Sequence, residues 1–279
     1  MRIGVRGHDV GKYTLDELAA KIEEKDLKSI QLVMKKAVTE FKVTDDCLTP
    51  GLASFVRETF AKHHVNVSML GCYINMSHPD DEELEKLLTT YKKYLRFASM
   101  LGCSLVGTES GALNAEYVDG PENHTEEAFN RCVSSLKIMA DAAEKLGVIV
   151  AIEGQVRHVL STPQKVKRAI DEVGSDNVEA IFDLFNFLND DNYMNQDQII
   201  RDAFDLYGDK IVLIHAKDFY IEDGHVVQTP AIGTGQFNYP LLLSLIKERK
   251  PHIDVILEGT SPEVIESSMK YLQEIYDKV

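Results

Sequence analysis

Positive charge is scarce in this chain. Its 279 residues carry 30 Lys and Arg against 45 Asp and Glu, a formal charge of −15. Phosphate backbones are held by clustered cations, so this deficit argues against a nucleic-acid partner, though not against a small local basic site. Long apolar runs are missing too. None approaches the ~18 residues that a membrane span needs, and the opening Met1-Arg-Ile-Gly-Val-Arg-Gly7 is too short and polar for a signal segment. Cysteine is sparse: Cys47, Cys72, Cys103 and Cys132 form no C-x-x-C pair. Their spacing excludes a zinc knuckle and a disulfide framework. Cys72 and Cys103 sit in apolar strand-like surroundings, as reduced core thiols of a cytoplasmic protein do. No linker, low-complexity run or break in composition divides the chain, so residues 1–279 are expected to form one domain.

What is present is rhythm. Short apolar runs alternate with stretches whose apolar residues recur every three and four positions. Strands are expected at Ile3–Val5, Ser29–Val33, Val65–Tyr73, Leu105–Val106, Val148–Glu153, Val178–Asp183, Ile211–His215 and Ile253–Glu258. Helix signals lie between them. Thr14 with Glu17 reads as a capping box, and Asn123 with Glu126 as a second N-terminal signal. Pro50, Pro163 and Pro262 stand at helix starts, and Gly102, Gly147 and Gly174 at helix ends. Polar, glycine-rich residues 218–238 read as a long loop. Eight strand–helix pairs of roughly 35 residues predict an α/β fold, a single (β/α)8 TIM barrel. The rival is a doubly wound open sheet. It would carry a glycine-rich phosphate turn after the first strand, and Gly4-Val-Arg-Gly7 is not one.

The last four strands share an ending. Val148-Ile-Val-Ala-Ile-Glu153 closes on a carboxylate and a glycine, and Asp183, His215 and Glu258 close the next three. Taken singly, each acid reads equally as a helix cap or loop acceptor, and His215 as a core histidine. Four metal-competent side chains on consecutive strands read as one site, because a barrel gathers its strand C-termini on one face. Three carboxylates and an imidazole suit one divalent metal ion, Mn, Mg, Co or Zn, with positions left for substrate. Around them, Glu109 ends the fourth strand and is a candidate for a substrate hydroxyl. Arg157 and His158 follow Glu153 in its loop, as anion contacts or as solvated charges. Lys217, two residues past His215, points into the mouth if the strand continues that far. Asp218 reads as a structural anchor, and Phe182, Phe185 and Phe187 as packing more than as a substrate wall. His8 and His78 follow early strands and are lesser candidates for the pocket.

The segments Ala-Ile-Glu153-Gly, Phe-Asp183-Leu-Phe-Asn186, Ile-His215-Ala-Lys217-Asp218, Gly233-Thr-Gly235 and Leu-Glu258-Gly resemble the xylose-isomerase-like barrel superfamily. Its sugar isomerase, epimerase and inosose-dehydratase branches are the most similar. The resemblance covers most of the chain and is specific from Ile149 onward. It implies that Glu153, Asp183, His215 and Glu258 hold one divalent metal, with Glu153 and Glu258 as acid and base flanking a small sugar or polyol ketone. Glu109, Arg157, His158, Asn186 and Lys217 are then the expected substrate contacts. One departure matters: relatives among epimerases and endonuclease IV often carry histidine three residues after the strand-six aspartate, where this chain has Asn186. A neutral amide is a poor transition-metal ligand, which weighs against a close epimerase assignment and against a multi-metal site. The leading expectation is a sugar isomerase or epimerase working through a metal-stabilised enediolate. A dehydratase on the same site is the alternative. An AP endonuclease or a non-catalytic sugar-binding barrel ranks below both. A homo-oligomer is compatible with the sequence, which does not fix the assembly.

Overall fold

The computed structural model describes residues 1–279. Eight parallel strands close on themselves: β1 (Arg2–Arg6), β2 (Ser29–Leu32), β3 (Asn66–Gly71), β4 (Leu105–Glu109), β5 (Ile149–Glu153), β6 (Val178–Phe182), β7 (Ile211–Ala216) and β8 (Asp254–Leu257). Each pairs with its sequence neighbours, and β8 pairs with β1 to complete the ring. Eight helices follow the strands in turn: α1 (Leu15–Glu24), α2 (Pro50–Lys62), α3 (Asp81–Leu101), α4 (Glu126–Leu146), α5 (Pro163–Val173), α6 (Gln196–Tyr207), α7 (Tyr239–Arg249) and α8 (Ile265–Lys278). This is the expected single (β/α)8 barrel. No helix is long and apolar enough to cross a membrane. The four thiols are free, with Cys72, Cys103 and Cys132 buried.

The barrel has two apolar compartments, and strand periodicity divides them. One set of strand residues faces outward and joins the helices in the main core. The other set fills the lumen: Met69, Leu105, Ala151, Ile181, Leu213 and Ile256 form a separate buried cluster. Gly107 leaves room for this plug, because a Cβ there would lie 2.5 Å from Met69 Sδ and 3.1 Å from Ile181 Cδ1. Everything two residues further along each strand therefore stands above a dry floor.

Local signals set the helix ends. Thr14 accepts from Glu17 N, and the Glu17 carboxylate accepts from Thr14 N, closing the capping box. Gly102, Gly147 and Gly174 end α3, α4 and α5 in the left-handed conformation that costs glycine little. Asn123 departs from expectation. Thr125 caps α4, accepting from Ala128 N. The buried Asn123 instead accepts from Leu113 N at 2.8 Å and donates to Val118 O and Arg157 O. It ties the loop after β4 to the loop after β5.

Residues 218–238 also depart from expectation, since they are not all loop. Asp218–Glu222 and His225–Thr229 form an antiparallel hairpin outside the barrel sheet. Its turn, Asp223-Gly224, has φ of 50° and 87°. Asp-Gly with both residues left-handed is a preferred hairpin turn, so the signal was in the sequence. Asp218 anchors the return. Its carboxylate accepts four backbone N–H groups, from Phe219, Gly233, Gly235 and Phe237, at 2.8–3.1 Å. At Gly235 a Cβ would sit 2.2 Å from Phe219 O and 2.3 Å from Asp218 Oδ1. Gly235→Ala is therefore expected to lower stability by about 1–3 kcal/mol through overpacking, and Asp218→Ala by a similar amount through orphaned buried donors. Urea unfolding midpoints check both; unchanged midpoints would refute the anchor.

Candidate metal centre

The lumen plug predicts which side chains meet at the mouth. Side chains two apart on a strand share a face. Ala151 lies in the plug, so Glu153 stands above it; Ile181 sets Asp183, Leu213 sets His215, and Ile256 sets Glu258. Lys217 continues the same row beyond His215, and Glu109 follows Leu105 and Gly107. Phase along four adjacent strands thus converts residues far apart in sequence into one cluster. Glu153, Asp183, His215 and Glu258 are all buried, and their ligand-capable atoms lie within 4.8 Å of one another.

Imidazole stands at the centre of the group. His215 Nδ1 is 2.9 Å from Glu153 Oε1 and 2.9 Å from Glu258 Oε2, with Asp183 Oδ2 at 3.9 Å. Asn186 Nδ2 donates to Glu153 Oε1 at 2.7 Å, and its Oδ1 accepts from Lys217 Nζ at 3.0 Å. Lys217 Nζ lies 2.7 Å from Asp183 Oδ2 and 2.9 Å from Glu258 Oε1. Arg6 was not anticipated as a site residue. It stands above Gly4 at the end of β1, and its Nη1 donates to Glu258 Oε1 at 2.6 Å. Its other nitrogens hold Asp9, which accepts from Gly259 N. The two-residue phase after Gly4 was the available signal, but Gly4 has no side chain to mark which way the strand faces.

These charges govern one another's protons. Burial opposes charge on His215, yet Glu153 and Glu258 push its pKa up to about 10. Burial raises Asp183 to about 6, with Lys217 opposing and the two glutamates adding to the rise. Burial works against the Glu258 carboxylate as well, but Lys217, His215 and Arg6 hold its pKa well below the ordinary value. Lys217 stays protonated for the same reason: burial opposes the charge, and Asp183 and Glu258 outweigh it. The cluster balances three carboxylates with three cationic groups.

The donor set fits a divalent cation. Asp183 Oδ2 and Glu258 Oε2 are buried and each faces a cationic nitrogen, Lys217 Nζ at 2.7 Å and His215 Nδ1 at 2.9 Å, so the same oxygens are aimed at positive charge. Adjacent ligands about 2.1 Å from an ion lie about 3 Å apart, near the spacing of His215 Nδ1 from two of its oxygens. Asn186 touches a candidate ligand without offering one strong enough for a transition metal. It orients Glu153, as outer-shell partners of metal ligands do.

The remaining sequence candidates divide. Glu109 faces the mouth beside Glu153, paired with it in register, and accepts from Tyr117 Oη at 2.9 Å. Tyr117, unforeseen in the sequence, has φ of 57° and stacks on His158 with ring centroids 4.8 Å apart. A non-glycine residue held left-handed is costly, and such strain gathers at functional sites. His158 is buried, with Nδ1 3.5 Å from Glu109 Oε2. Arg157 is exposed and lies apart from the four-residue cluster, in the wall of a neighbouring cavity. His78 accepts from Asp80 N ahead of α3 and does not join the site. Phe182 and Phe187 pack in the core, whereas Phe185 lines the cavity.

Two expectations follow. If Asn186 orients Glu153, Asn186→Ala should weaken Mn2+ or Zn2+ binding about 10–100-fold, read by calorimetric titration of metal-free protein. The second concerns acid. Burial pushes both His8 and His158 down to about 4 from 6.5. Below pH 6.5 the unfolded chain takes up protons that the folded chain refuses. The stability these groups confer is complete above about 6.5 and is lost as pH falls toward 4. Urea midpoints across that window should fall more steeply for the natural protein than for His8→Gln/His158→Gln.

Comparison with known proteins agrees with the barrel. The profile of the xylose isomerase-like TIM-barrel family matches residues 27–275. No curated protein sequence matches the chain significantly. Among solved structures, 3-keto-D-glucoside 4-epimerase from E. coli superposes with a TM-score of 0.76 at 15% identity, over 98% of this chain and 99% of that one. The IOLI protein with a bound zinc atom superposes at 0.71 and 20% identity, over 100% and 96%. The probable 3-DHS dehydratase AsbF from Bacillus anthracis does so at 0.75 and 12%, over 98% and 99%. At these identities the likeness establishes the fold alone. The profile spans most of the chain, strands β2 to β8 with the whole four-residue cluster included, and on that ground the chain belongs to the xylose isomerase-like TIM-barrel family.

Proposed function

We propose that this protein is a divalent-metal-dependent isomerase or epimerase of a small sugar or keto sugar. One observation carries the reading: four buried metal-competent side chains converge at the strand C-termini, where barrels perform chemistry. Glu153, Asp183, His215 and Glu258 would hold one Mn, Mg, Co or Zn ion. Bound there, the ion supplies Lewis acidity that makes a C–H beside a carbonyl removable near neutral pH.

The chain's own groups then manage the proton. Glu153 and Glu258 both stand 2.9 Å from His215 Nδ1, and in the proposed reaction one carboxylate removes the carbon-bound proton and the other returns one. Return to the opposite face of the same carbon inverts it; return to the former carbonyl carbon, with the proton of the first carbon's hydroxyl moving to the former carbonyl oxygen, isomerises it. Asn186 keeps Glu153 Oε1 from drifting, and Lys217 holds positive charge beside Asp183 and Glu258 as negative charge develops on the substrate. Glu109, held by Tyr117, is placed to receive a substrate hydroxyl.

Elimination of water from a β-hydroxy ketone begins with the same proton removal, and the structural likeness to a probable 3-DHS dehydratase supports that as the second reading. Enone absorbance appearing with loss of water, against isomer formation, separates the two. For either, Glu153→Gln should abolish exchange of the substrate's carbon-bound proton with D2O, a loss of at least about 100-fold for a missing acid–base group. Unchanged deuterium incorporation would overturn the assignment.

A further inference from the structure

Beside the metal centre lies a second space. A cavity of about 630 Å3 opens between the loops after β4, β5 and β6, beneath the hairpin. None of Glu153, Asp183, His215 and Glu258 lines it, so it is distinct from the four-residue cluster. Two residues belong to both. Asn186 faces the cavity and hydrogen-bonds Glu153 and Lys217, and the Phe185 ring, also in the wall, has its centroid 5.7 Å from Lys217 Nζ. The centre and the cavity are thus one side chain apart at Asn186.

The wall has the chemistry of a carbohydrate site. Ten of its fourteen residues are polar or charged, so an apolar ligand would strip water from groups it cannot repay. Several polar groups are held in place with one side left over. Gln155 Oε1 accepts from Arg157 N, which leaves Nε2 without a protein partner. Asn189 Oδ1 accepts from Asp191 N and Asn192 N, which leaves Nδ2 likewise. The Arg157 guanidinium has no carboxylate within ion-pair distance, and Asp119 offers a largely exposed carboxylate with the His124 imidazole 4.0 Å away. Phe185 supplies an apolar patch beside these donors and acceptors. Fixed amide donors, a carboxylate acceptor and one aromatic face match a ring that bears hydroxyls at its edge and C–H groups on its face.

Charge decides against a phosphate. Two carboxylates, Asp119 and Asp190, line the cavity against one arginine. The nearby start of α5 gives little help, because Pro163 has no N–H and Thr162 Oγ1 is engaged by Lys165 N. The volume falls within the about 300–1,000 Å3 of clefts that enclose drug-sized ligands, ample for a sugar ring.

We propose that this cavity is a subsite for a second, neutral sugar ring, so that the substrate is a glycoside of the reacting keto sugar and not a free monosaccharide. The identity of the ring at the metal centre rests on the function proposed above; the ligand chemistry of the cavity does not. The test is calorimetric titration of Mn2+-loaded and metal-free protein with D-fructose, with the fructose disaccharides lactulose and palatinose, and with D-fructose 6-phosphate. Deuterium exchange from D2O is followed in parallel. At least one disaccharide should bind about tenfold or more tightly than D-fructose, the worth of one or two added hydrogen bonds. Gln155→Glu and Asn189→Asp keep the carboxamide shape and the acceptor oxygen but remove the free donor, and each should bring that ratio toward one. Equal binding of fructose and both disaccharides would overturn the subsite, as would a preference that survives both variants. A preference for the phosphate ester that Arg157→Ala abolishes would also overturn it, in favour of an anion site. Disaccharide binding that is sensitive to the two variants, but occurs without metal dependence or deuterium exchange, would uphold the subsite and refute the isomerase reading. Exchange from fructose and disaccharides at equal rates would do the reverse.

Discussion

Three buried carboxylates cannot share a small volume without positive charge among them. Glu153, Asp183 and Glu258 converge where solvent is largely excluded, and the structure answers with His215 at the centre and Lys217 and Arg6 at the margin. The proton on His215 is held far above its ordinary range because it stands between Glu153 and Glu258. A divalent ion bound by the same donors would displace that proton and take over its electrostatic task. Much of the surrounding mouth is arranged to keep this balance: Asn186 orients Glu153, Asp9 holds Arg6, and Glu109 is tied off by Tyr117.

Convergence depends on the floor beneath. Met69, Leu105, Ala151, Ile181, Leu213 and Ile256 fill the lumen, and on the last four of these strands the polar residue two places further on is thereby aimed into the mouth. A one-residue slip in β5 or β8 would send Glu153 or Glu258 toward the helices, where an unpaired carboxylate is costly. Packing of the plug and placement of the acids are one constraint seen at two heights. The loops add a second level of control. The Asp218 carboxylate gathers four backbone N–H groups and brings the hairpin back over the mouth, where Gln228 reaches Glu258 O and the tip is held by Asp190. Asn123 joins two loops on the opposite flank. The cavity beside the centre lies between these two fastenings.

Much was legible without coordinates, for local reasons. Apolar runs that end in Glu153, Asp183, His215 and Glu258 announce buried strands with metal-competent tips, and the proline, threonine and glycine punctuation marks the helices between them. The fold class and the four-residue cluster follow from signals that each lie within a few residues. The misreadings are equally physical. Asn123 satisfies the local capping pattern, yet three backbone groups outside the helix, the furthest on the loop after β5, claim its amide. The stretch after Lys217 has the composition of a loop, but the Asp223-Gly224 turn and the Asp218 anchor fold part of it into a hairpin.

What the sequence by itself determined is the period of each element, the ends of the helices and the order of the strands, because these depend on interactions between near neighbours. Tertiary structure alone decided which further groups meet the four-residue cluster. Arg6 reaches Glu258 only because β1 closes on β8, and Tyr117 meets Glu109 and His158 only because the loop after β4 is pinned to the loop after β5. Asn186 became an orienting group and Arg157 a cavity residue by the same kind of closure, although both follow strands of the same half-barrel. Such contacts carry no period and no spacing in the chain. They are set by the closing of the sheet into a ring and by the few buried hydrogen bonds that fasten its loops.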